Sequence, residues 1–160
     1  MTEQPETGPT TSNTLNILLV EDQEADVQLI LRALTKGGIA NPIHVVRDGQ
    51  EALDYFSGEG QFADRNRFPI PGLILLDLKL PKVNGLQVLE QLKQTEELKR
   101  IPVIVLTSSS ESKDVNRAYD VGANSYLVKP VQFSAFCEVV TQIKLYWLLL
   151  NEPPNVGPLQ

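Results

Sequence analysis

The chain has 160 residues, of which 42% are apolar and 21% are charged, and its formal net charge at pH 7 is −6. This size and composition are typical of one globular domain with its own core, and the negative charge argues against non-specific binding to nucleic acid or to a membrane surface. One cysteine and one histidine exclude an internal disulfide and leave too few ligands for a structural zinc site, so any metal would be a hard cation held by carboxylates.

The two ends of the chain differ in composition from the middle. Residues 1–14 are rich in Thr, Pro, Gly and Glu and predict a flexible arm without the features of a signal peptide. Residues 15–150 predict the folded domain, and residues 151–160 an extended tail. The longest apolar run near the C-terminus, LYWLLL, is too short to span a bilayer. We therefore expect a cytoplasmic protein.

Short apolar runs alternate with helical patterns through the middle of the chain. The runs predict five strands, at residues 16–20, 43–46, 73–77, 102–106 and 125–128. A helical pattern follows each run, and the last helix is expected from about Val131 to Leu150. Such alternation predicts an α/β fold, a doubly wound parallel sheet with helices on both faces. The strands are apolar throughout, as expected when both faces of a sheet are covered.

Polar side chains collect where four of these strands end. Glu21 and Asp22 follow the first strand, Asp77 ends the third, Thr107 ends the fourth, and Lys129 ends the fifth. In an open parallel sheet, ligands bind at the carboxyl ends of the strands. We therefore expect three acids, a hydroxyl and a lysine to converge at one edge. Each feature alone is more often a cap or a turn, but their joint placement makes coincidence a poor explanation.

Three neighbouring carboxylates repel one another and raise one another's pKa unless a cation offsets their charge. Mg²⁺ suits such a site because it takes one or two carboxylates together with water and phosphate oxygens. Asp77 is then placed to attack phosphorus, as carboxylates do in aspartyl-phosphate chemistry. Mg²⁺ and Lys129 would neutralise the charge of the transferred group, and the Thr107 hydroxyl would donate a hydrogen bond to it.

These residues resemble those of the receiver domain of two-component response regulators. The similarity lies in Glu21-Asp22 after NILLV, in Asp77 within LILLDLKLPKVNG, in Thr107 within IPVIVLTSS and in Lys129-Pro130 within GANSYLVKP. The loop with Pro81, Asn84 and Gly85 is similar to the D-x-x-L/M-P-x-x-D/N-G loop of that family. The resemblance covers roughly residues 15–150, which would be the receiver domain. It implies a five-stranded sheet in the flavodoxin-like order 2-1-3-4-5.

The resemblance also implies roles for the residues at the sheet edge. Asp77 would be the phosphoacceptor, Asp22 and Asp77 would bind Mg²⁺ directly, and Glu21 would bind it through water. The backbone carbonyl of Lys79 would be a further metal ligand. The resemblance implies that Lys129 contacts the phosphoryl group and that its bond to Pro130 is cis. It further implies that Thr107 and Tyr126 form a switch pair, in which the hydroxyl moves toward the phosphoryl group and the ring follows inward.

The last helix is more apolar than a surface helix requires. Its main stripe contains Phe133, Phe136, Val140, Ile143, Trp147 and Leu150, and a neighbouring stripe contains Val139, Tyr146 and Leu149. A surface helix of a monomer needs one apolar face, so the surplus favours a homodimer over coverage by the arm or the tail. The ending YWLLLNEPP and the long loop before the third strand are similar to stand-alone regulators paired with phytochromes.

The sequence thus favours a single-domain response regulator that accepts a phosphoryl group from a sensor histidine kinase and signals by protein contact. The similarity to phytochrome-paired regulators makes a phytochrome the expected kinase. It would not be an enzyme beyond catalysing its own phosphorylation and dephosphorylation. A phosphorelay intermediate that passes the phosphate to another histidine remains an alternative. A Mg²⁺-dependent phosphatase with an aspartyl nucleophile is a weaker one, because it needs a second Asp where this chain has Lys79. Lys79 is also expected to influence how fast water attacks the acyl phosphate.

Overall fold

The structure, a computed structural model, describes residues 15–150 and Pro154; for residues 148–150 it describes the backbone alone. The expectations of a flexible arm at residues 1–14 and an extended tail at residues 151–160 fall outside the described residues, apart from Pro154.

Five parallel strands form one sheet in the order β2-β1-β3-β4-β5, as predicted. Their bounds are β1 Ile17–Val20, β2 Ile43–Val46, β3 Leu73–Leu76, β4 Val103–Thr107 and β5 Ser125–Val128. Each lies within one residue of its predicted range. The central strands β1, β3 and β4 are buried along their whole length, whereas the edge strands β2 and β5 are only partly covered. The uninterrupted apolar runs therefore did mark strands covered on both faces.

Helices connect the strands and cover the two faces of the sheet. They are α1 Glu24–Lys36, α2 Gly49–Ser57, α3 Gly85–Gln94, α4 Ser112–Val121 and α5 Phe133–Ile143. One core layer joins the sheet to α1 and α5, and the other joins it to α2, α3 and α4. Each crossover between consecutive parallel strands contains one α-helix, which carries the chain back to the start of the next strand.

Local sequence signals fix where the helices next to the candidate site begin. The Asp48 side chain accepts a hydrogen bond from the Glu51 N–H and caps α2. Asn84 caps α3 in a reciprocal capping box with Gln87, in which each side chain accepts a hydrogen bond from the other residue's N–H. Such caps satisfy N–H groups that the first helical turn leaves free. The loop after β3 therefore ends at Asn84, the cap residue of α3.

The long loop between α2 and β3 is largely exposed but is anchored to the core through Phe62. It contains a short 3₁₀ helix, Gly60–Phe62, whose Phe62 is 5% exposed and lies 5.0 Å from the Tyr55 ring centre. The Arg65 guanidinium donates hydrogen bonds to the carbonyls of Tyr55, Phe56 and Phe68. Arg65 therefore ties the loop to the last carbonyl groups of α2, where a cation is favoured.

The last helix differs from the expected single α-helix. It begins at Phe133 rather than at about Val131, and after Ile143 it continues as a π-helical segment, Lys144–Leu150. Phe136, Val140 and Ile143 of the predicted stripe are buried against the sheet and α1. Tyr146 of the neighbouring stripe is 56% exposed, whereas the side chains of Leu149 and Leu150 are not described. Within residues 15–150, no helix combines the length and apolar character needed to cross a membrane.

Candidate functional site

The register of β1 and β3 brings two acids side by side. Val20 pairs with Leu76 in the sheet, and the next residue on each strand is Glu21 or Asp77. The Asp77 N–H donates a hydrogen bond to the Val20 carbonyl at 3.0 Å, which continues the ladder past the strand ends. The two carboxylates therefore meet because the strands end level with each other.

Glu21, Asp22 and Asp77 form a compact carboxylate group, in which one oxygen from each lies within 4.8 Å of the others. Glu21 and Asp77 are 1% and 6% exposed, and Asp22 is half-buried. The pKa of Glu21 is raised to about 7, mainly by burial. Neighbouring Asp77 also raises this pKa, whereas Lys129 lowers it. Burial acts in the same direction on Asp77, but hydrogen bonds from Lys129, Glu21 and the Lys79 N–H outweigh it, and the pKa of Asp77 is lowered.

This donor set fits a hard divalent cation. All three side chains offer carboxylate oxygens, which Mg²⁺ and similar ions prefer, and their spacing allows one ion to contact them together. Nitrogen and sulfur ligands are absent from the group, so the set does not suit a soft metal. The predicted trio of metal-binding side chains is therefore assembled at one place.

Lys129 reaches this group from the end of β5. Its Nζ donates hydrogen bonds to Glu21 Oε2 at 2.5 Å, to Asp77 Oδ2 at 2.8 Å and to Asp26 Oδ2 at 3.0 Å. Its backbone N–H donates to the Thr107 carbonyl at 2.7 Å, which fixes the lysine beside β4. Burial lowers the pKa of Lys129, but Asp77 and Glu21 more than reverse this, so the pKa is raised and the side chain stays charged.

Asp26 is the site residue that the sequence analysis missed. It lies in the first turn of α1, where an acid is normally explained by the positive end of the helix dipole. The available signal was its position one helical turn after Asp22, on the helix that follows the acidic pair. That signal is weak, because the contact with Lys129 depends on tertiary packing, in which α1 lies against α5, the helix after Lys129.

Thr107 and Tyr126 occupy neighbouring strands at the same end of the sheet. The Thr107 side chain is completely buried, and its hydroxyl has no hydrogen-bond partner among the described residues. Such a group is uncommon in a folded protein. The half-buried Tyr126 donates its hydroxyl hydrogen to the Ser109 carbonyl at 2.9 Å. The two residues are therefore close to the β4–α4 loop, and their joint movement stays a prediction.

Two further expectations concern backbone groups. The structure has no cis peptide bond in the residues that it describes, so the expected cis bond between Lys129 and Pro130 is wrong. The trans form is the lower-energy isomer of an X-Pro bond, and Lys129 reaches Asp77 with the bond in that form. The Lys79 N–H donates to Asp77 Oδ1 at 3.1 Å, and its exposed side chain points away from the buried core. The role of the Lys79 carbonyl as a metal ligand stays a prediction.

Comparison with known proteins identifies relatives across the described domain. Residues 17–141 match the family model for the response regulator receiver domain. The probable methanogenesis regulatory protein FilR2 of Methanothrix harundinacea is 45% identical over 142 residues, which cover 87% of each chain. Response regulator Rcp1 of Synechocystis is 40% identical over 132 residues, which cover 82% of this chain and 88% of Rcp1.

Solved structures show the same similarity. The phosphorylated cyanobacterial phytochrome response regulator RcpA superposes with a TM-score of 0.81 at 40% identity, over 88% of this chain and 99% of RcpA. The Mn²⁺-bound form of Rcp1 has a TM-score of 0.80 at 38% identity, with the same coverage of both chains. The bacteriophytochrome response regulator RtBRR has a TM-score of 0.71 at 49% identity, over 88% of this chain and 84% of RtBRR.

Proposed function

Because the chain belongs to the response regulator receiver domain family and is related to phytochrome response regulators, we propose that it accepts a phosphoryl group from a sensor histidine kinase onto Asp77. The observation that carries this proposal is the position of Asp77 at the end of β3. One of its oxygens accepts from Lys129 at 2.8 Å, and two further carboxylates lie beside it. A buried carboxylate so arranged keeps a lowered pKa and is ionised at neutral pH.

In the proposed reaction, an oxygen of Asp77 attacks the phosphorus of a phosphohistidine. The new bond is between this oxygen and phosphorus, and the bond that breaks joins phosphorus to the imidazole nitrogen, which keeps the electron pair. Lys129 would move from the carboxylate oxygens to an oxygen of the phosphoryl group. The Thr107 hydroxyl, which has no partner among residues 15–150, would donate a hydrogen bond to that group. Positioning and charge neutralisation are what phosphoryl transfer requires.

We propose that the site holds a divalent cation and that this cation is Mg²⁺. Its direct ligands would be the Asp22 and Asp77 carboxylates and the Lys79 carbonyl, and Glu21 would bind it through water. When bound, the cation would offset negative charge on the carboxylates and on the phosphoryl oxygens. Support comes from the three carboxylates of the site and from the Mn²⁺-bound structure of the related Rcp1.

We propose that phosphorylation is communicated through Thr107 and Tyr126. Movement of the Thr107 side chain toward the phosphoryl group would open space beside β4 for the Tyr126 ring. Tyr126 would then exchange its hydrogen bond with the Ser109 carbonyl for a more buried position. The β4–α4 loop, which Tyr126 contacts, would change shape as a result.

The proposed output is a protein contact made in the cytoplasm, with a homodimer formed through the last helix. Leu145 and Tyr146 are 44% and 56% exposed there, beside a small groove that Leu127 and Trp147 help to line. A phytochrome is the proposed kinase, because this chain resembles the phytochrome response regulator RcpA and the bacteriophytochrome response regulator RtBRR. A relay to a second histidine would use the same site, whereas Lys79 disfavours the phosphatase alternative.

Incubation with an acyl-phosphate donor and Mg²⁺, followed by mass spectrometry of the intact protein, tests the proposal. We expect one added phosphoryl group in the wild type and none in Asp77→Asn. Asp64→Asn, in an exposed part of the long loop, is the matched control and should be labelled like the wild type. Labelling of Asp77→Asn to the wild-type level would refute the assignment. Transfer from the labelled protein to a histidine phosphotransfer protein would favour the relay.

A further inference from the structure

Lys129 is bound by more carboxylates than the proposed reaction uses. A lysine ammonium has three N–H donors, and here they reach Glu21, Asp77 and Asp26 at 2.5–3.0 Å. The lysine side chain is only 11% exposed, so these contacts are its main source of compensation for lost hydration. The ammonium is therefore fully occupied before a cation or a phosphoryl group binds.

The three carboxylates differ in what else they can bind. Glu21 and Asp77 belong to the metal-binding group with Asp22, and a cation placed there competes with Lys129 for them. Asp26 lies outside that group, on the first turn of α1, with its side chain 38% exposed. Among the described residues, Asp26 is therefore the carboxylate that can stay hydrogen-bonded to Lys129 when Glu21 and Asp77 bind a cation.

We propose that Asp26 is a positioning residue that holds the Lys129 ammonium on the α1 side of the site, so that a divalent cation can take Glu21 and Asp77 without leaving the lysine buried and unpaired. This inference rests on the proposed function, because it assumes that the carboxylate group binds a cation. Without Asp26, the Lys129 ammonium has no partner among residues 15–150 besides Glu21 and Asp77, and a cation must displace it from both. Cation binding then weakens, because Lys129 competes with the cation for Glu21 and Asp77.

Mn²⁺ binding, measured from the signal of free Mn²⁺ in electron paramagnetic resonance, tests the inference without any phosphorylation step. We expect Asp26→Asn to weaken Mn²⁺ binding by about fivefold, the size of coupling usual for groups in direct contact. Asp26→Glu keeps a carboxylate in reach of Lys129 and should recover most of the affinity. Far-UV circular dichroism and thermal melting of each variant show that the fold is retained.

Two comparisons separate a contact with Lys129 from a general effect of charge. Glu24→Gln removes an acid from the same helical turn, one that pairs with Arg47 instead of Lys129, and should change Mn²⁺ binding by less than about twofold. In the Lys129→Met background, Asp26→Asn should have no further effect on Mn²⁺ binding. An equal effect of Asp26→Asn with and without Lys129, or an effect matching that of Glu24→Gln, would overturn the inference.

The outcome can be told apart from a failure of the proposed function. If wild-type protein is phosphorylated on Asp77 and binds Mn²⁺, while Asp26→Asn binds it equally well, the role of Asp26 alone is refuted. If the wild type does not bind Mn²⁺ at all, the metal part of the proposed function fails and the inference falls with it. The Mn²⁺ affinity of the wild type distinguishes these two cases.

Discussion

Gly85, at the first position of α3, lies against the main chain of Asp77. A β-carbon at residue 85 would stand 2.3 Å from the Asp77 carbonyl oxygen and 2.5 Å from the α-carbon of Leu78. Its own N–H donates a hydrogen bond to the Leu78 carbonyl at 2.9 Å. The helix therefore starts so close to Asp77, the proposed phosphoacceptor, that only a residue without a side chain fits.

Gly85→Ala should accordingly push α3 away from the backbone of Asp77. We expect a loss of about 1–3 kcal/mol in the free energy of unfolding, the range for overpacking, and slower phosphorylation by acyl phosphate. Gly37→Ala is a suitable control, because its φ is −71° and its β-carbon would have no neighbour nearer than 3.2 Å. Urea unfolding measures both variants, and equal stabilities would show that the close approach is not needed.

Cation binding should depend on pH through Glu21. The pKa of Glu21 is raised to about 7, and a metal binds the deprotonated carboxylate. Mn²⁺ affinity should therefore rise between about pH 6 and pH 8, most steeply below about pH 7. Glu21→Gln should remove most of this dependence. Isothermal titration at several pH values measures it, and a flat profile in the wild type would contradict the raised pKa.

The same shift affects the stability of the metal-free protein. The folded-state pKa of Glu21 lies above the ordinary value of 4.5, so the folded chain holds the proton more tightly than the unfolded chain. The contribution of Glu21 to the free energy of unfolding is therefore complete below about pH 4.5 and is lost as the pH rises through about 7. Asp77, whose pKa is lowered, acts in the opposite direction. Comparison of Glu21→Gln with wild type in urea at several pH values isolates the contribution of Glu21.

Arg65 should be the main anchor of the long loop before β3. Arg65→Met removes hydrogen bonds to the carbonyls of Tyr55, Phe56 and Phe68, and we expect a loss of about 1–3 kcal/mol in the free energy of unfolding. The loop should also become more sensitive to proteases. Arg67→Met is the matched control, since Arg67 is exposed and stacks on Phe68 at 5.2 Å. Similar protease sensitivity of both variants would argue against the anchor.

If the dimer forms through the last helix, substitutions of the exposed tyrosines Tyr146 and Tyr119 should affect dimerisation differently. Tyr146→Glu places a charge on the last helix and should shift the protein toward a monomer in size-exclusion chromatography with light scattering, because an unpaired charge at an interface is costly. Tyr119→Glu, on α4 and 49% exposed in the wild type, should leave the dimer intact. A monomeric wild type, phosphorylated or not, would contradict the proposal.

Much of the fold followed from local patterns. The apolar runs at β1, β3 and β4 predicted buried parallel strands, and the acids after β1 and β3 met because those strands end level with each other. What the sequence could not show depends on packing between distant elements. Asp26 meets Lys129 although the two residues are 103 positions apart; α1 packs against α5, the helix that follows Lys129, and no local pattern carries that information.

Other misses have similarly specific causes. The final helix starts at Phe133 and changes to π-helical geometry after Ile143. The sequence did not predict either feature, because its apolar pattern continues unchanged to Leu150. The cis form of the bond before Pro130 was implied by resemblance alone, and Lys129 makes its contact with Asp77 with the bond in the trans form. In the long loop before β3, the packing of Phe62 and Phe68 against Tyr55 has no signal in the local sequence pattern.

The contacts of Lys129 also bear on how the protein is made. Its partners Glu21, Asp26 and Asp77 precede it by 108, 103 and 52 residues. During synthesis, which runs from the N-terminus, these acids leave the ribosome long before the lysine that neutralises them. The three acids are therefore synthesised without the lysine that offsets their charge in the folded protein. Lys129 completes the site last, so under the proposed function a nascent chain cannot accept a phosphoryl group in the native way until its fifth strand has been made.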